Sequence, residues 1–358
     1  MNILVVGSDV NAYSLCKDAQ KYADSVFMAP GFYGAEDVAE KIDVSATDTA
    51  RSADFALEND IDYTFVTSFE AIDADIAGFF ERENLKICAP CVTGCEPVFS
   101  RARCKRIFHS ENIPTLRFSI FDKEQKAVNY LQKVDYPILL KPDNTCVSAL
   151  PVEVENFAAA KIALLNLFAE FPSMPVVAEK YVNARVVYLY FAVNKSGIFP
   201  VGTCCSSEDS FCPTTVNAPD VYLPDGAQTR VLRVIRDKIL KNGCGYRGII
   251  GAEVVTDGND FFLTELIPFF KQIHMQTLQP LLKISLFELF CGICDDKNIG
   301  DIFNSDCAAC TRIVNDFEKF SDIENFLTAG TTFGNGTVTA RAATFSGAVK
   351  LLDEFGVM

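Results

Sequence analysis

The sequence predicts a multidomain α/β protein, and three observations support this class. At 358 residues the chain is longer than one ordinary domain and fits two or three, each with its own core. Hydrophobic residues make up 49% and charged residues 22%, which are the values of a globular protein rather than a disordered or fibrous one. Short apolar segments alternate with polar-faced helical segments over the first hundred residues, a pattern typical of a parallel sheet.

Four apolar segments predict the strands of this parallel sheet, and two helices are expected between them. The predicted strands are 3–7, 25–31, 62–67 and 85–90, and the helices are about 49–59 and 72–84. In such sheets ligands bind beyond the carboxyl ends of the strands. Gly31 and Glu70 lie at two of these ends, which makes them candidate substrate contacts.

The remaining chain predicts two further domains. A basic stretch at 100–106 and a turn at 112–114 mark the first boundary, so that the domains are 1–100, 101–295 and 296–358. The middle domain carries predicted strands at 137–142, 175–182 and 186–193, helices at 124–133 and 226–242, and a hairpin at 248–255 and 261–267. The last sixty residues predict a small α+β, strand-rich module that ends in a helix.

Charge and hydropathy argue against nucleic acid and membrane as partners. The formal net charge is −15 and is spread along the chain, which opposes binding to phosphate backbones and to anionic lipid. No apolar segment approaches the roughly 18–20 residues that a membrane span needs, and no basic segment precedes the first strand. We therefore expect a cytoplasmic protein.

Fourteen cysteines leave two interpretations open. Three pairs have CxxC spacing: Cys88 with Cys91, Cys291 with Cys294, and Cys307 with Cys310. A tetrahedral zinc site needs four nitrogen or sulfur ligands, and nothing in the sequence indicates that two of these pairs meet. Metal binding and free thiols that act as small hydrophobic residues both remain hypotheses.

Four charged residues have an order and spacing that point to one chemistry. Lys141 closes one predicted strand, Glu179 ends another, and the predicted hairpin carries Glu253 and Glu265 on its two strands. Each feature alone is common on protein surfaces. Their succession along the chain is the informative part.

This succession resembles the ATP-grasp superfamily. The resemblance implies an N-terminal parallel-sheet (pre-ATP-grasp) domain, an ATP-grasp domain with lobes of about 101–178 and 179–295, and ATP and Mg²⁺ as cofactors. It implies catalytic roles for Lys141 and Glu265, with Lys141 on the nucleotide phosphates. The implied adenine-binding hinge is Glu179, Lys180, Tyr181 and Val182. Glu253 and Glu265 would be the Mg²⁺ ligands, since Mg²⁺ prefers carboxylate and phosphate oxygens.

Within that superfamily the chain is most similar to the phosphoribosylamine–glycine ligase family. Residues 26–34 are similar to its APGNxG loop, residues 62–71 to its DLTVVGPEAPL segment, and residues 328–339 to elements of its C-terminal domain. The resemblance implies a carboxylate–amine ligase that acts through an acyl-phosphate on small-molecule substrates and is compatible with a homodimer. It places Gly31, Glu70 and His274 on the substrate side.

Several departures from the family pattern support an alternative. The family's glycine-rich lid follows its lysine, whereas residues 142–150 here contain no glycine. Ile267 and Phe269 stand where the superfamily carries asparagine and arginine, and neither side chain can bind a metal or pair with an anion. Residues 7–13 replace the glycine-rich loop that the family carries in its first domain. The alternative is a catalytically impaired pseudoenzyme that binds a nucleotide or ligand or takes part in assembly.

Overall fold

The computed structural model describes residues 1–93, 95–146, 151–206, 215–220, 222–240, 245–271, 273–315, 317–321, 326–330 and 335–357. Its strands are β1 (Asn2–Gly7), β2 (Ser25–Pro30), β3 (Glu40–Lys41), β4 (Ile61–Val66), β5 (Ile87–Cys88), β6 (Phe118–Phe121), β7 (Ile138–Pro142), β8 (Val152–Val154), β9 (Val176–Lys180), β10 (Arg185–Asn194), β11 (Gly197–Ser206), β12 (Thr215–Ala218), β13 (Gly248–Thr256), β14 (Phe261–Ile267), β15 (Ala308–Asn315), β16 (Phe326–Gly330) and β17 (Asn335–Ala342). Its α-helices are α1 (Val10–Ala19), α2 (Thr49–Glu58), α3 (Phe69–Asp73), α4 (Ile76–Arg82), α5 (Glu96–Phe99), α6 (Arg101–Ser110), α7 (Glu124–Leu131), α8 (Phe157–Glu170), α9 (Ala227–Val234), α10 (His274–Leu278), α11 (Leu286–Cys294) and α12 (Phe345–Glu354). None of these helices is both long enough and apolar enough to cross a membrane. Residues 147–150 of the predicted lid and 331–334 of the C-terminal motif lie outside the described residues.

The N-terminal region contains the predicted parallel sheet. Its strand order is β3-β2-β1-β4-β5, and every pair of neighbours runs parallel. The central strand β1 buries the side chains of Ile3, Leu4, Val5 and Val6 completely. A continuous apolar strand of this kind forms because helices cover both faces of a parallel sheet. The predicted α/β class and its parallel sheet are thus confirmed.

The prediction of a single helix over 72–84 is wrong, because the helix is interrupted at Asp75. The structure has two short helices there, α3 and α4, and Asp75 between them adopts a left-handed backbone with φ of 55°. Its carboxylate accepts a hydrogen bond from the backbone N–H of Val92 at 3.2 Å. Aspartate tolerates this backbone region better than most residues, and the long-range hydrogen bond was not visible as a local sequence pattern.

A four-stranded antiparallel sheet forms the first lobe of the middle region. Its order is β6-β9-β7-β8, which places β7 and β9 side by side at its centre. Apolar residues of α7 and α8 pack with those of the strands into a separate small core. This arrangement carries Lys141 and Glu179 on adjacent strands.

A larger antiparallel sheet forms the rest of the molecule. The described strands run in the order β14-β13-β10-β11-β12-β15-β17-β16, so the C-terminal strands extend the sheet that contains the β13–β14 hairpin. Its main core is continuous with that of the N-terminal sheet, while β15, β16, β17 and α12 enclose a smaller cluster. The expected helix over 226–242 consists of α9 followed by one π-helical turn at Ile235–Ile239.

Gly251 tests this packing, because the sheet leaves no room for a side chain there. A Cβ atom at Gly251 would lie 2.5 Å from Cγ1 of Ile267 and 2.7 Å from Cε1 of Tyr190. We expect Gly251→Ala to lower the free energy of unfolding by about 1–3 kcal/mol, the usual cost of overpacking a core. Gly292→Ala, in α11, is the control, because its Cβ would be in ordinary contact with Cγ1 of Ile299 at 3.6 Å, with no closer atom among the described residues outside its own helix. Urea denaturation of both variants checks this, and an unchanged Gly251→Ala variant would contradict it.

Candidate functional site

Lys141 and Glu179 meet because their strands are neighbours. β7 and β9 pair in antiparallel register with Leu139 opposite Glu179. Lys141 is two residues from Leu139, and side chains two apart on a strand emerge on the same face of the sheet. The Nζ atom of Lys141 lies 3.3 Å from Oε2 of Glu179.

The two hairpin carboxylates also come together as the sequence predicts. Glu253 and Glu265 are directly opposite each other on β13 and β14, so their side chains share one face. Oε1 of Glu253 lies 3.5 Å from Nζ of Lys141. Glu253 also accepts hydrogen bonds from the hydroxyls of Tyr188 at 2.8 Å and Thr264 at 2.6 Å. Lys141 therefore bridges the carboxylate of Glu179 and the hairpin.

Arg101 completes the site, and the sequence analysis did not identify it. Its Nε donates to Oε2 of Glu265, and its Nη1 donates to the backbone carbonyls of Pro142 at 2.7 Å and Asn144 at 2.6 Å. The Arg101 side chain thus holds in place the carboxylate of Glu265 and the backbone at the end of β7. The basic composition of residues 100–106 alone predicts only a domain boundary there.

Lys105 is the second cation from the same helix. Its Nζ donates to Oε1 of Glu179 and to the hydroxyl of Thr115, the latter at 2.9 Å. Residues four apart lie on the same face of a helix, so Arg101 and Lys105 of α6 both face the site. This i,i+4 spacing of basic residues was the signal that could have revealed them.

These residues form a buried group in which positive and negative charges balance. We define the ion network as Arg101, Lys105, Lys141, Glu179, Glu253 and Glu265. Its members are between 1 and 5% exposed, and three formal positive charges face three formal negative ones. An isolated charge at such depth would be strongly unfavourable, so each member depends on the others.

The pKa shifts in the ion network follow from its charges. Burial favours the neutral acid of Glu265, but the positive charges of Arg101 and Lys141 outweigh it and hold the pKa of Glu265 well below its usual range. Burial likewise opposes the charged form of Lys141. The carboxylates of Glu265, Glu253 and Glu179 outweigh that burial and raise the pKa of Lys141 above its ordinary value. Glu265 and Lys141 are therefore both ionised at neutral pH.

The predicted hinge borders this group, although its backbone is partly engaged. The N–H of Lys180 donates to the carbonyl of Arg117 at 2.9 Å, and the N–H of Tyr181 donates to the carbonyl of Pro137 at 3.3 Å. The side chains of Lys180 and Val182 are exposed, whereas that of Glu179 is buried in the ion network. Of the predicted hinge residues, Glu179 is therefore buried, whereas Lys180 and Val182 face solvent.

Two of the predicted substrate contacts lie on the N-terminal sheet. Gly31 follows β2 with a positive φ of 65°, and Glu70 is exposed in the first turn of α3. The hydroxyl of Ser68 donates to Glu70 at 2.8 Å. Both residues lie just past the carboxyl ends of strands, where the topology of the sheet predicts a ligand.

His274, the third predicted substrate contact, is buried against β10. The hydroxyl of Tyr190 accepts a hydrogen bond from the N–H of Lys271 at 3.1 Å and shares a second hydrogen bond with Nδ1 of His274 at 2.7 Å. Burial, with a smaller contribution from the charge of Lys271, lowers the pKa of His274 to about 3. The ring is therefore neutral at physiological pH.

The two apolar replacements in the hairpin region belong to the core. Ile267 is fully buried, and the ring of Phe269 packs edge-on against Phe270 and Phe290. Neither side chain has an atom that could bind a metal or donate a hydrogen bond to phosphate. The network cations Arg101, Lys105 and Lys141 are the positive groups that hydrogen-bond or pair with the carboxylates here.

The donor chemistry of Glu253 and Glu265 fits a magnesium ion. Mg²⁺ is commonly held by one or two carboxylates, with phosphates and water completing its octahedron, and these two side chains lie together on one face. Both carboxylates currently have cationic partners, Lys141 and Arg101. Among the described residues no group of three or more histidine, cysteine, aspartate or glutamate side chains could hold a metal by itself.

The described cysteines are free thiols, and most of them are buried. Burial raises the pKa of Cys204 well above its ordinary value and that of Cys291 to about 12. Such thiols are protonated and chemically quiet at neutral pH.

Comparison with known proteins shows similarity to one family of ligases. Residues 1–96 match the family described as phosphoribosylglycinamide synthetase, N domain. The phosphoribosylamine–glycine ligase of Caldanaerobacter subterraneus subsp. tengcongensis is 24% identical, over 99% of this chain and 93% of its own length. The same enzyme of Streptococcus pneumoniae serotype 4 is 26% identical, over 83% of this chain and 75% of its own length. The chain is thus similar to these ligases along most of its length.

Solved structures show the same fold. The biotin carboxylase domain of the 2-oxoglutarate carboxylase of Hydrogenobacter thermophilus, in complex with MgADP, ADP and bicarbonate, superimposes with a TM-score of 0.78 at 14% identity and covers 99% of this chain and 88% of its own. The phosphoribosylamine–glycine ligase of Thermotoga maritima gives a TM-score of 0.74 at 13% identity and covers 99% and 96%. The predicted ATP-grasp architecture is confirmed.

The Arg101–Glu265 pair provides a test of the ion network. Arg101→Met or Glu265→Gln alone leaves a buried charge without its partner, and we expect each to lower the free energy of unfolding by about 3–5 kcal/mol. The double variant should cost clearly less than the sum, because it removes both charges. Urea denaturation of the four proteins measures the coupling.

The Arg247–Asp296 pair is the matched control for this cycle. Arg247 Nη2 lies 2.7 Å from Asp296 Oδ2, but both side chains are partly exposed. We expect a coupling of about 1 kcal/mol or less there. Additive costs at Arg101 and Glu265 would show that the two residues are not coupled.

His274 predicts a specific pH dependence of stability. A histidine whose pKa falls from about 6.5 in the unfolded chain to about 3 in the folded one stabilises the fold fully above pH 6.5, and this contribution is lost as the pH falls toward 3. The expected loss is about 2 kcal/mol between pH 7.5 and 5. His274→Asn should flatten this part of the curve, measured by urea denaturation at each pH.

The other histidine supplies the control for the pH series. His109 is exposed, and the chain has only two histidines. His109→Asn should therefore keep the slope of the unmodified protein. A His274→Asn variant with that same slope would contradict the assignment.

Proposed function

We propose that this chain, which has the ATP-grasp fold and is similar to phosphoribosylamine–glycine ligases, is an ATP-dependent carboxylate–amine ligase that acts through an acyl-phosphate. One observation carries the proposal. Lys141 lies within 3.5 Å of both Glu179 on the hinge strand and Glu253 of the paired hairpin acids. Two solved structures of the same fold have names that include bound ADP or ATP, which supports a nucleotide site at these residues.

The residues of the ion network have separable roles under this proposal. Lys141, Arg101 and Lys105 would exchange their carboxylate partners for phosphate oxygens, since a buried cation needs an anionic partner. Glu253 and Glu265, once released, would hold Mg²⁺, which when bound neutralises charge on the phosphates. The hinge at Glu179, Lys180, Tyr181 and Val182 would lie along the adenine.

The substrates would be a small carboxylate and a small amine. Gly31 and Glu70 lie at the carboxyl ends of β2 and β4, and we assign them to the substrate side of the cleft. His274 would position the substrate rather than act as an acid or a base, because its ring is neutral and hydrogen-bonded to Tyr190. Burial of the ion network excludes water, which protects an acyl-phosphate from hydrolysis.

A second candidate is a protein that binds a nucleotide or other ligand without turnover. The ion network favours it, because its charges are balanced without any ligand and Ile267 and Phe269 are committed to the core. Loss of a charge-stabilising group from a phosphoryl-transfer site typically costs a factor of about 100 to 1000 in rate. This candidate predicts binding with no reaction.

ADP release separates the two candidates. The protein is incubated with Mg-ATP and pools of carboxylates and amines, and ADP is measured by a coupled assay. The ligase predicts ADP release that requires both substrates and that Glu265→Gln or Lys141→Met reduces at least about 100-fold. Lys161→Met, an exposed lysine on α8 of the same lobe, is the control and should leave the rate unchanged.

Thermal unfolding with Mg-ATP distinguishes the remaining outcomes. A ligand that binds only the folded state raises the midpoint of unfolding. A nucleotide-dependent rise without ADP release, absent in Lys141→Met, would favour binding without turnover. No ADP release and no rise with any adenine nucleotide would overturn both candidates.

A further inference from the structure

A cavity of about 670 Å³ opens where the first lobe of the middle region joins the rest of the molecule. Its walls are the chain around α5 and the start of α6, the backbone that follows β7, and the loop between α8 and β9. We call it the joint cavity, and its lining residues lie within 92–103, at 143–144 and at 170–175. Cavities of this size at such joints commonly bind small molecules.

The joint cavity is separate from the ion network. Arg101 and Arg103 are two residues apart in α6, and side chains two apart on a helix point about 200° away from each other. Arg101 points to Glu265, whereas Arg103 is exposed and lines the cavity. The two regions therefore lie on opposite sides of α6.

Main-chain hydrogen bonds hold the walls of the joint cavity in place. The N–H of Asp143 donates to the carbonyl of Pro175 at 2.9 Å, and the N–H of Arg101 donates to the carbonyl of Asp143 at 2.8 Å. The N–H of Thr145 donates to the carbonyl of Phe99 at 2.9 Å. The chain that follows β7 is thus fastened to both other walls, as is usual for a binding site that is formed before its ligand arrives.

The apolar part of the lining favours an aromatic ring. Phe99 belongs to the main core and Phe171 packs on the small core of the first lobe, and both line the cavity together with Met174. Aromatic rings pack favourably against other rings and against thioether sulfur. A ligand with an aromatic group would also remove apolar surface of these side chains from water.

Three charged side chains at the joint cavity lack a partner. Glu96, Arg103 and Glu170 line the cavity, and none of these side chains hydrogen-bonds or pairs with another group in the part of the chain that the structure describes. Asp143 differs, because its carboxylate accepts hydrogen bonds from the hydroxyl of Ser100 at 2.9 and 3.0 Å. The charges available to a ligand are therefore one guanidinium and two carboxylates.

We propose that the joint cavity binds a free α-amino acid with an aromatic side chain. The ring would pack on the two phenylalanines and the methionine, the carboxylate would pair with Arg103, and the ammonium would lie toward Glu96 and Glu170. Both ends of an amino acid are charged at neutral pH, and arginine binds a carboxylate through two parallel hydrogen bonds. This site takes no part in the ligase reaction proposed above, so neither proposal depends on the other.

Calorimetric titration with L-phenylalanine, in the absence of nucleotide, tests the site. The unmodified protein is compared with Arg103→Gln, with a variant that combines Glu96→Gln and Glu170→Gln, and with Arg106→Gln. Arg106 is the matched control, because it is an exposed arginine of the same helix that does not line the cavity. All four side chains are at least partly exposed, so these substitutions should leave the fold intact.

Two analogues test the same charges without any substitution. Phenethylamine lacks the carboxylate of L-phenylalanine, and 3-phenylpropanoate lacks its ammonium. Each is titrated into the unmodified protein. A charge-assisted hydrogen bond is lost in both cases, so each analogue should bind at least about 10-fold more weakly than L-phenylalanine.

We expect L-phenylalanine to bind the unmodified protein and Arg106→Gln with a dissociation constant below about 1 mM. Arg103→Gln and the combined glutamate variant should each bind it at least about 10-fold more weakly. The proposal would be overturned by an unmodified protein that does not bind L-phenylalanine, by analogues that bind as tightly, or by equal affinities of Arg103→Gln and Arg106→Gln. Because no nucleotide is present, these results are independent of whether ADP is released.

Discussion

The charge of one buried lysine constrains the rest of the site. Lys141 is 2% exposed, so its ammonium requires carboxylates nearby, and they come from β9 and β13 of two different sheets. Arg101 and Lys105 of α6 then balance the carboxylates. The ion network thus couples the small sheet, the hairpin and the helix that follows the N-terminal sheet, and a change at any member affects all three.

Charge is distributed differently at the two proposed ligand regions. In the ion network three cations lie close to carboxylates that a metal could take over, so an entering polyphosphate would find partners without new charges. At the joint cavity the charged side chains of Glu96, Arg103 and Glu170 have no partners among the described residues. Under the proposed function, the ion network is therefore the region suited to the phosphates of a nucleotide.

Much of the fold and four of the six residues of the ion network could be predicted from the sequence. The parallel sheet follows from alternating apolar segments, and Lys141, Glu179, Glu253 and Glu265 were identified from their order along the chain. Arg101 and Lys105 are harder to predict, because their carboxylate partners are 164 and 74 residues away along the chain. The one local signal is that the two basic residues lie on the same face of α6. The break at Asp75 was missed for a similar reason, since the stabilising hydrogen bond comes from Val92. Local patterns predict elements, whereas buried charge pairing depends on tertiary contacts.

The most direct test of this account is a crystal structure of the chain grown with magnesium and a non-hydrolysable ATP analogue. If the ion network is the closed form of a nucleotide site, the analogue will lie between the two lobes. Arg101 and Lys141 will then contact its phosphates instead of Glu265 and Glu253. An intact ion network, with the analogue absent or bound elsewhere at saturating concentration, would contradict the account.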